Sequence, residues 1–503
     1  MELLTERYAD KISGVLSCYD RIVLKGTLPT VCYAQGMSNH LFKNNILIFD
    51  YTKFVEPLRD KLRANAEQLA TANNLKIEFI RSSKARKEDI VKKHFDGKKT
   101  GLVYILSAME ACNSYIPWHD KVLHKTFLKG TQGKCLHYYF YFNDPDIGIG
   151  YVRVPTWCPF QLQVYFNGHG VLANELTKQG IAFTMLDNAF DYIADFKEAQ
   201  TIANNLDVNK LLKKLDWFSN LYCPAHKEFG QTYHWSIMQQ EYATDIVFKK
   251  QEYLQPLYDD LIATAIHTVK PANIATFLSQ KIHSNYRGEM GNNYNIRLEG
   301  SRIKHSMGQV SIKMYDKFHK ILRIETTVND VSFFKHYRTV EHRDGTTSQQ
   351  QAPVKKNIFS LTALTQIMLA ANKRYIAFIS TIEDNSIGKK KLQKITTSKM
   401  ENDRMYKGFN FFEKGDQNVL VYLTSGEFNI SGFRCKDLKK QFKNCSAFKI
   451  SRILKRLRVI GLIKRIGKTY KYYITTLGNE AILTALKLKN IVIIPQLNYS
   501  IAA

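Results

Sequence analysis

Residues 309–327 read QVSIKMYDKFHKILRIETT, and their apolar residues recur at every second position. Ile312 and Met314 alternate with polar residues, and Leu322 and Ile324 do the same after a short polar segment. A period of two is typical of a strand with one buried face, so the stretch predicts an antiparallel hairpin. Keeping the apolar faces together predicts a register with Met314 opposite Leu322 and Ile312 opposite Ile324.

The other face of this hairpin combines a phenol, two cations and a carboxylate, namely Tyr315, Lys313, Arg323 and Glu325. The predicted register places Lys313 opposite Arg323 and Ser311 opposite Glu325. Tyr315 and Glu325 are then four residue steps apart, about 13 Å at ~3.3 Å per step. That separation is too long for one compact site, and a half-buried sheet with a solvated polar face explains the pattern without any chemistry.

The order Tyr-Asp-Lys followed by Arg-x-Glu on the paired strand is nevertheless similar to a pattern in rolling-circle plasmid replication initiators. The resemblance implies that Tyr315 attacks a DNA phosphate and that Glu325 binds a metal, Mg²⁺ or Mn²⁺, with Lys313 and Arg323 beside them. The His-hydrophobic-His metal motif common in tyrosine nickases is missing, because CLHYYF contains the single His137.

Outward from the hairpin, the sequence predicts an α+β body. Residues 1–190 alternate between strand-like and helix-like runs and predict a mixed α/β domain. Residues 191–384 are predicted to be helical apart from a three-stranded meander at 294–328, and their longest predicted helix begins at HWSIMQQEYATDIVF (234–248). A basic linker at 385–415 then leads to a terminal domain at 416–503.

A second set of acids offers another candidate site. Asp20 opens a predicted strand, Asp187 ends one, and Glu241 and Asp245 lie one turn apart on the predicted helix. RNase H-like nucleases and transposases hold two metal ions about 4 Å apart with carboxylates on strands, strand ends and a helix. The same spacing equally suits Glu241 and Asp245 as surface partners of Lys249.

The charge of the chain favours a polyanionic partner. Its net charge is +27, from 72 Lys and Arg against 45 Asp and Glu. Residues 417–503 hold sixteen of the cations and three of the acids. Such a concentration predicts nucleic-acid binding, with double-stranded DNA as the expected partner and RNA or single-stranded DNA as alternatives.

The stretch KISRILKRLRVIGLIKRIGKTYKYYITTLG (449–478) predicts how DNA is bound. A short amphipathic helix at 433–444, a turn with Ser446 as N-cap, a second helix and a basic hairpin around Gly467 follow in the order of a winged helix-turn-helix domain. The predicted DNA contacts are Lys449, Arg452, Lys455, Arg456, Arg458, Lys464, Arg465, Lys468 and Lys471.

The end of this stretch resembles the winged-helix module of MarR-like regulators. The whole chain, through CLHYYFYF, VRVPTWCPF and SIKMYDKF followed by LRIETTVNDVSFFKHYR, also resembles a family of prokaryotic proteins of similar length that are commonly labelled MarR-like. MarR regulators are much shorter dimers, and residues 1–400 do not have their pattern. Because MarR regulators are dimers, the resemblance leaves a homodimer as one oligomeric state to expect for this chain.

Several observations limit the class of protein. The eight cysteines show no CxxC spacing, which is typical of reduced thiols in a cytoplasm rather than of a structural zinc site. The N-terminus lacks a signal peptide, and no apolar run is long enough to span a membrane.

We therefore expect a cytoplasmic DNA-binding protein, linked to a mobile element as a replication initiator, strand-processing endonuclease or transposase. A MarR-type transcriptional regulator is one alternative. The other is a structured-RNA or single-strand binder that stacks bases on the aromatic run HYYFYF (137–142).

Overall fold

The structure of the protein is a computed structural model that describes residues 3–82, 85–95, 99–122, 124–282, 286–297, 300–383, 385–424, 428, 432–442, 445–467 and 469–494. The chain divides into two compact units, Met1–Glu383 and Asp384–Ala503. Among the described residues, no helix is long and apolar enough to cross a membrane.

The first unit is mixed α/β and is built on a large, mostly antiparallel sheet. Its strands are β1 (Ile12–Thr27), β2 (Ile77–Phe79), β3 (Gly101–Asp120), β4 (Lys125–Asp144), β5 (Gly148–Pro155), β6 (Leu162–Phe166), β7 (Phe183–Met185), β8 (Phe190–Ile193), β9 (His234–Phe248), β10 (Met290–Arg297), β11 (Gly300–Met307), β12 (Val310–Lys317), β13 (Ile321–Val328), β14 (Lys335–Glu341) and β15 (Thr347–Pro353). In the described part, eleven of them form one sheet in the order β10-β11-β12-β13-β9-β1-β6-β5-β4-β3-β2, while β7-β8 and β14-β15 pair separately.

Helices cover both sides of this sheet. They are α1 (Leu4–Arg7), α2 (Ala34–Lys43), α3 (Tyr51–Ala72), α4 (Lys87–His94), α5 (Gly168–Lys178), α6 (Phe196–Asn204), α7 (Val208–Tyr222), α8 (Gln251–Thr268), α9 (Pro271–Phe277) and α10 (Leu361–Glu383). The sheet joins strands from 1–190 to strands from 191–384, because β1 pairs along most of its length with β9. The two predicted body domains therefore fold as one unit.

The segment 234–248, predicted as a helix, is the interior strand β9. It lies between β13 and β1 and pairs with both. Residues Tyr242–Phe248 are buried on both faces, so the strand lacks the alternation that would identify it in the sequence. The genuine helix, α8, begins only at Gln251.

The predicted meander has four strands rather than three, since β10 to β13 pair consecutively from Met290 to Val328. The predicted register between its last two strands is wrong by two residues. Tyr315 lies opposite Arg323, and Lys313 lies opposite Glu325. A shift of two keeps every side chain on its face, so the apolar pattern cannot detect it.

The turn of this hairpin sets the observed register. Lys317 pairs with Ile321, and both Phe318 and His319 in the connecting loop have a left-handed backbone with φ of 56°. Phe318 in particular gives no turn signal in the sequence, because glycine and asparagine are the usual occupants of this conformation.

Two further expectations change with the fold. The aromatic run 137–142 is buried on both faces of β4, so it offers no stacking surface. The predicted linker 385–415 is largely folded, and its Ile395 and Phe409 belong to the core of the second unit.

The second unit contains α11 (Asn385–Thr396), β16 (Lys399–Glu401), β17 (Arg404–Tyr406), α12 (Lys414–Leu423), α13 (Cys435–Gln441), α14 (Ala447–Ile460), β18 (Ile463–Arg465), β19 (Tyr472–Ile474) and α15 (Thr476–Lys487). Ser446 caps α14, as expected, by accepting a hydrogen bond from the backbone N–H of Lys449 at 3.3 Å. β18 and β19 pair as a hairpin.

Candidate functional site

Three carboxylates from three adjacent strands converge on one face of the large sheet. Asp20 on β1, Glu241 on β9 and Glu325 on β13 each place an oxygen within 4.8 Å of the others. The fold therefore joins the two separately predicted sets, because Glu325 comes from the hairpin and Asp20 and Glu241 come from the second set of acids.

Local backbone geometry explains the convergence. Glu241 and Asp245 share a face of β9 because they are four residues apart on a strand, not one turn apart on a helix. Asp20 is the extra residue of a bulge, since Tyr19 pairs with Tyr242 and Arg21 pairs with Glu241. A bulge redirects the side chain of the inserted residue, and here Asp20 joins the cluster.

Lys313 and Tyr315 on β12 both bind Glu325. The Lys313 ammonium donates to Glu325 Oε1 at 2.6 Å and to Glu241 Oε1 at 3.2 Å. The Tyr315 hydroxyl donates to Glu325 Oε2 at 2.6 Å. The two-residue shift in register thus replaces a predicted separation of about 13 Å with a direct hydrogen bond.

Arg323 forms a deeper layer beneath these groups. Its Nε and Nη2 each donate to Asp245 at 2.6 Å, and its Nη1 lies 3.2 Å from Asp20 Oδ1. The Arg323 side chain is fully buried, which makes this a bidentate ion pair shielded from water. Although burial opposes ionisation, Arg323 and then His169 lower the pKa of Asp245 to about 2.

His169, at the start of α5, closes the deeper layer. Its Nδ1 lies 3.1 Å from Asp20 Oδ1, and Arg323 Nη2 lies 3.1 Å from its Nε2. Burial lowers the pKa of His169, but Cys18 and the carboxylates of Asp20 and Asp245 outweigh it and leave that pKa well above its usual value. Asn188 adds a hydrogen bond from its amide to Asp20 Oδ1 at 2.7 Å.

The outer layer is less well balanced electrostatically. Burial, and then the charge of Glu325, raises the pKa of Glu241. Burial lowers the pKa of Lys313, but Glu325 and Glu241 outweigh it and leave that pKa raised. Burial, followed by Glu325, raises the pKa of Tyr315 well above its usual range, so the phenol keeps its proton.

The donor set fits a hard divalent cation. Carboxylate oxygens are the ligands that Mg²⁺ and Mn²⁺ prefer. Within the described residues, the hydrogen bonds and ion pairs of Asp20 are made by Oδ1, which leaves Oδ2 as a ligand atom. Lys313 supplies the positive charge between Glu241 and Glu325, and a bound cation would compete with its ammonium.

Asp187 does not join the cluster. Its carboxylate pairs with Lys92 Nζ at 2.9 Å and is half exposed. The neighbouring Asn188 reaches Asp20 instead.

Sequence reasoning missed five residues around the cluster, namely Arg21, His169, Asn188, Lys317 and Thr327. Thr327 could have been found from the sequence, because it follows Glu325 by two residues and therefore shares its strand face. In the structure its hydroxyl donates to Glu241 Oε1 at 3.3 Å. His169 and Asn188 come from loops, and no spacing in the sequence indicates them.

The predicted DNA contacts of the second unit fall into two groups. Lys449 and Arg452 on α14 are exposed, and so are Lys464 and Arg465 on β18. Within the described residues, neither Lys449 nor Arg452 forms an ion pair. Lys468 lies outside the described residues, and Lys471 is half-buried.

The other cations of α14 bind acids of the same unit. Lys455 and Arg458 both pair with Glu401. Arg456 forms a bidentate pair with Asp416 at 2.6 and 2.8 Å and donates to the carbonyls of Lys407 and Gly408. Arg456 therefore links α14 to Asp416 and to the backbone of residues 407 and 408 within the unit.

Comparison with protein-family models, with curated proteins and with solved structures finds no match to this chain.

Proposed function

We propose that this chain binds DNA and cleaves or transfers DNA strands, with Mg²⁺ or Mn²⁺ held by Asp20, Glu241 and Glu325. The observation that carries the proposal is the convergence of these three carboxylates from β1, β9 and β13 beside a tyrosine hydroxyl. A replication initiator, a transposase and a strand-processing endonuclease all share this chemistry.

A divalent cation at the three carboxylates would polarise a phosphate oxygen and stabilise the charge that develops on it. Tyr315 is the proposed nucleophile, and Glu325 Oε2, 2.6 Å away, accepts its phenolic proton. The Tyr315 oxygen forms a bond to phosphorus as the bond from phosphorus to the deoxyribose oxygen breaks. Lys313, bound to the same carboxylate, supplies a proton to the leaving oxygen.

Arg323, Asp245 and His169 are positioning residues in this scheme. They hold Asp20 from behind through buried contacts and touch neither the phosphate nor the leaving oxygen. Their buried pairing fixes Asp20 opposite Glu241 and Glu325, which keeps the ligand oxygens close together before substrate arrives.

The second unit is the proposed winged helix that docks on duplex DNA. The order α13, turn, α14 and the β18-β19 hairpin supports this, with α14 as the helix that enters the major groove. Lys449 and Arg452 on α14, with Lys464 on the hairpin, are the exposed cations proposed to contact phosphates.

Incubating the full chain with labelled single-stranded and duplex DNA, in Mg²⁺, Mn²⁺ or EDTA, tests the proposal. We expect metal-dependent cleavage that Glu325→Gln lowers about 10²–10⁴-fold, and a covalent protein–DNA adduct that Tyr315→Phe abolishes. Asp187→Asn is the matched control, because this acid lies outside the cluster. Cleavage without an adduct would leave a water-dependent nuclease and remove Tyr315 as the nucleophile.

Two results would replace the proposal. Tight binding at one duplex site with no cleavage in any metal would identify a MarR-type regulator. Preferential binding of RNA or single strands without cleavage would identify a nucleic-acid binder, and the carboxylate cluster would then be a structural ion network neutralised by Lys313.

A further inference from the structure

The β3-β4 ribbon carries an exposed aromatic and basic surface near its turn. Within the described residues, the strand residues of 114–131 pair only with each other, because β5 joins β4 only from His137 onward. Trp118 is 46% exposed, Ile116 is 44% exposed and Val122 is 87% exposed. Large apolar groups concentrated at one end of a ribbon indicate a contact surface.

The surface has a defined face. Trp118 lies opposite Phe127, and Ile116 lies opposite Lys129, so these four side chains share one side of the ribbon. The Lys129 ammonium lies 4.6 Å from the centre of the Trp118 ring. We call this group (Ile116, Trp118, Phe127 and Lys129) the ribbon-tip face.

The opposite side of the ribbon is anchored to the body. The Tyr115 hydroxyl donates to the carbonyl of Val31 at 2.9 Å. The backbone N–H of Leu128 donates to Ser38 Oγ on α2 at 3.0 Å, and the Leu128 side chain is buried. The ribbon-tip face is therefore held in place from behind rather than carried on a loose arm.

Charge indicates the kind of partner. Residues 116–134 contain four lysines (121, 125, 129 and 134) and one acid, Asp120. A second copy of this chain would bring the same lysine-rich patch against itself, because a twofold contact is self-complementary. A polyanion with flat apolar surfaces can pair its charges with the lysines and stack on the exposed rings.

We propose that the ribbon-tip face binds single-stranded DNA by stacking one or two unpaired bases on Trp118 and Phe127. Lys125 and Lys129, each two residues from Phe127 on the same side of the ribbon, contact the phosphates. Duplex DNA offers no base to stack on Trp118 or Phe127, because its bases already stack on each other. The assignment rests on the proposed function, in which DNA is the substrate and strand cleavage yields unpaired ends.

Fluorescence anisotropy of the full chain with labelled oligo(dT), in EDTA, tests this surface. We expect Trp118→Ala to weaken binding about 5- to 150-fold, the range that base–aromatic stacking contributes per base. Trp118→Tyr, which keeps a ring, should retain most of the affinity. Binding of mixed-sequence duplex DNA should not change in either variant.

Trp217→Ala is the matched control. Trp217 on α7 is 53% exposed and also has a lysine ammonium, that of Lys214, over its ring at 5.6 Å. Trp217 does not belong to the ribbon-tip face, so its replacement should leave oligo(dT) affinity unchanged. Equal losses in the two variants would overturn the assignment, because the effect would then not be specific to the ribbon.

Three other results overturn it as well. One is oligo(dT) binding that does not change in Trp118→Ala. Another is a change of that variant from dimer to monomer without loss of affinity, which would identify a self-association surface. The third is a loss confined to single-stranded RNA of the same length. Because EDTA prevents metal-dependent cleavage, a Trp118-dependent affinity supports this inference even where strand cleavage fails.

Discussion

The deeper and outer layers of the carboxylate cluster lie on the same face of one sheet, yet they differ in how their charges are satisfied. In the deeper layer, Arg323 makes a bidentate pair with Asp245 and also contacts Asp20. In the outer layer, Glu241 and Glu325 share the ammonium of Lys313, and the half-exposed Arg21 lies 3.4 Å from Glu241. The pKa of Asp245 in the deeper layer is therefore lowered by Arg323 and His169 despite burial, whereas burial and Glu325 leave the pKa of Glu241 in the outer layer raised.

The difference separates a structural role from a chemical one. A buried ion pair stabilises a fold only while both partners are present, so the deeper layer fixes the geometry. A carboxylate with a raised pKa gains from an additional cation, because its charge is not yet compensated. The second unit repeats the contrast, since Arg456 is paired and Arg452 is exposed.

Removing the cation of the deeper layer should have the largest effect. Arg323→Met leaves Asp245 and Asp20 buried without their partner and should lower the free energy of unfolding by about 3–5 kcal/mol. Urea unfolding followed by circular dichroism measures it. Arg63→Met, on the exposed side of α3, is the control and should stay within about 0.5 kcal/mol. A loss no larger than the control's would mean that the deeper layer is not structural.

Removing an outer carboxylate should instead affect activity more than stability. Glu325→Gln keeps the shape but removes the proposed metal ligand and proton acceptor, and we expect cleavage to fall about 10²–10⁴-fold. Its urea midpoint should stay near that of the unsubstituted chain. If Glu325→Gln unfolds the chain as Arg323→Met does, the two layers form one structural network and the contrast between them is lost.

The pH dependence of stability should have opposite signs in the two layers. The pKa of Asp245 is lowered to about 2, so its ionised form stabilises the fold above pH ~4 and that stability is lost as pH falls toward 2. The pKa of Glu241 is raised, so its ionisation costs stability above that pKa and costs nothing below pH ~4.

Substitution at the two positions tests these signs. In metal-free buffer at pH 7, Asp245→Asn should destabilise the chain and Glu241→Gln should stabilise it. Adding Mn²⁺ should stabilise the unsubstituted chain and not Glu241→Gln. Thermal unfolding at pH 7, with and without Mn²⁺, measures both effects, and stabilisation by Asp245→Asn would contradict the assignment of the layers.

The sequence alone identified much of this site but not its assembly. Tyr315, Glu325, Asp20 and Glu241 were all candidates, because acids and a phenol on strand-like segments stand out against an apolar pattern. Their meeting depends on pairing between β1 and β9, which are more than 200 residues apart. Hydrophobic periodicity carries no information about such pairing.

Two local misreadings hid the convergence further. The second half of β9, Tyr242–Phe248, is buried on both faces and so has no strand period, which made 234–248 look helical. The turn at Phe318 and His319 contains no glycine or asparagine, so nothing in the sequence fixed the hairpin register. The mixed α/β class was confirmed, because it follows from the alternation of segments rather than from their pairing.

The smallest effect is expected for Arg452 in the second unit, which is exposed on the same helix as the paired Arg456. Arg452→Ala should leave stability within about 0.5 kcal/mol and reduce the slope of log affinity for duplex DNA against log salt by about 1, because one phosphate contact is lost. Arg456→Ala should instead lower the free energy of unfolding by about 1.5–3 kcal/mol, since Asp416 loses its charged partner. Salt titrations and urea unfolding of both variants separate the two roles. A salt slope that falls for Arg456→Ala and not for Arg452→Ala would mean that the exposed face of α14 is not the one that meets DNA.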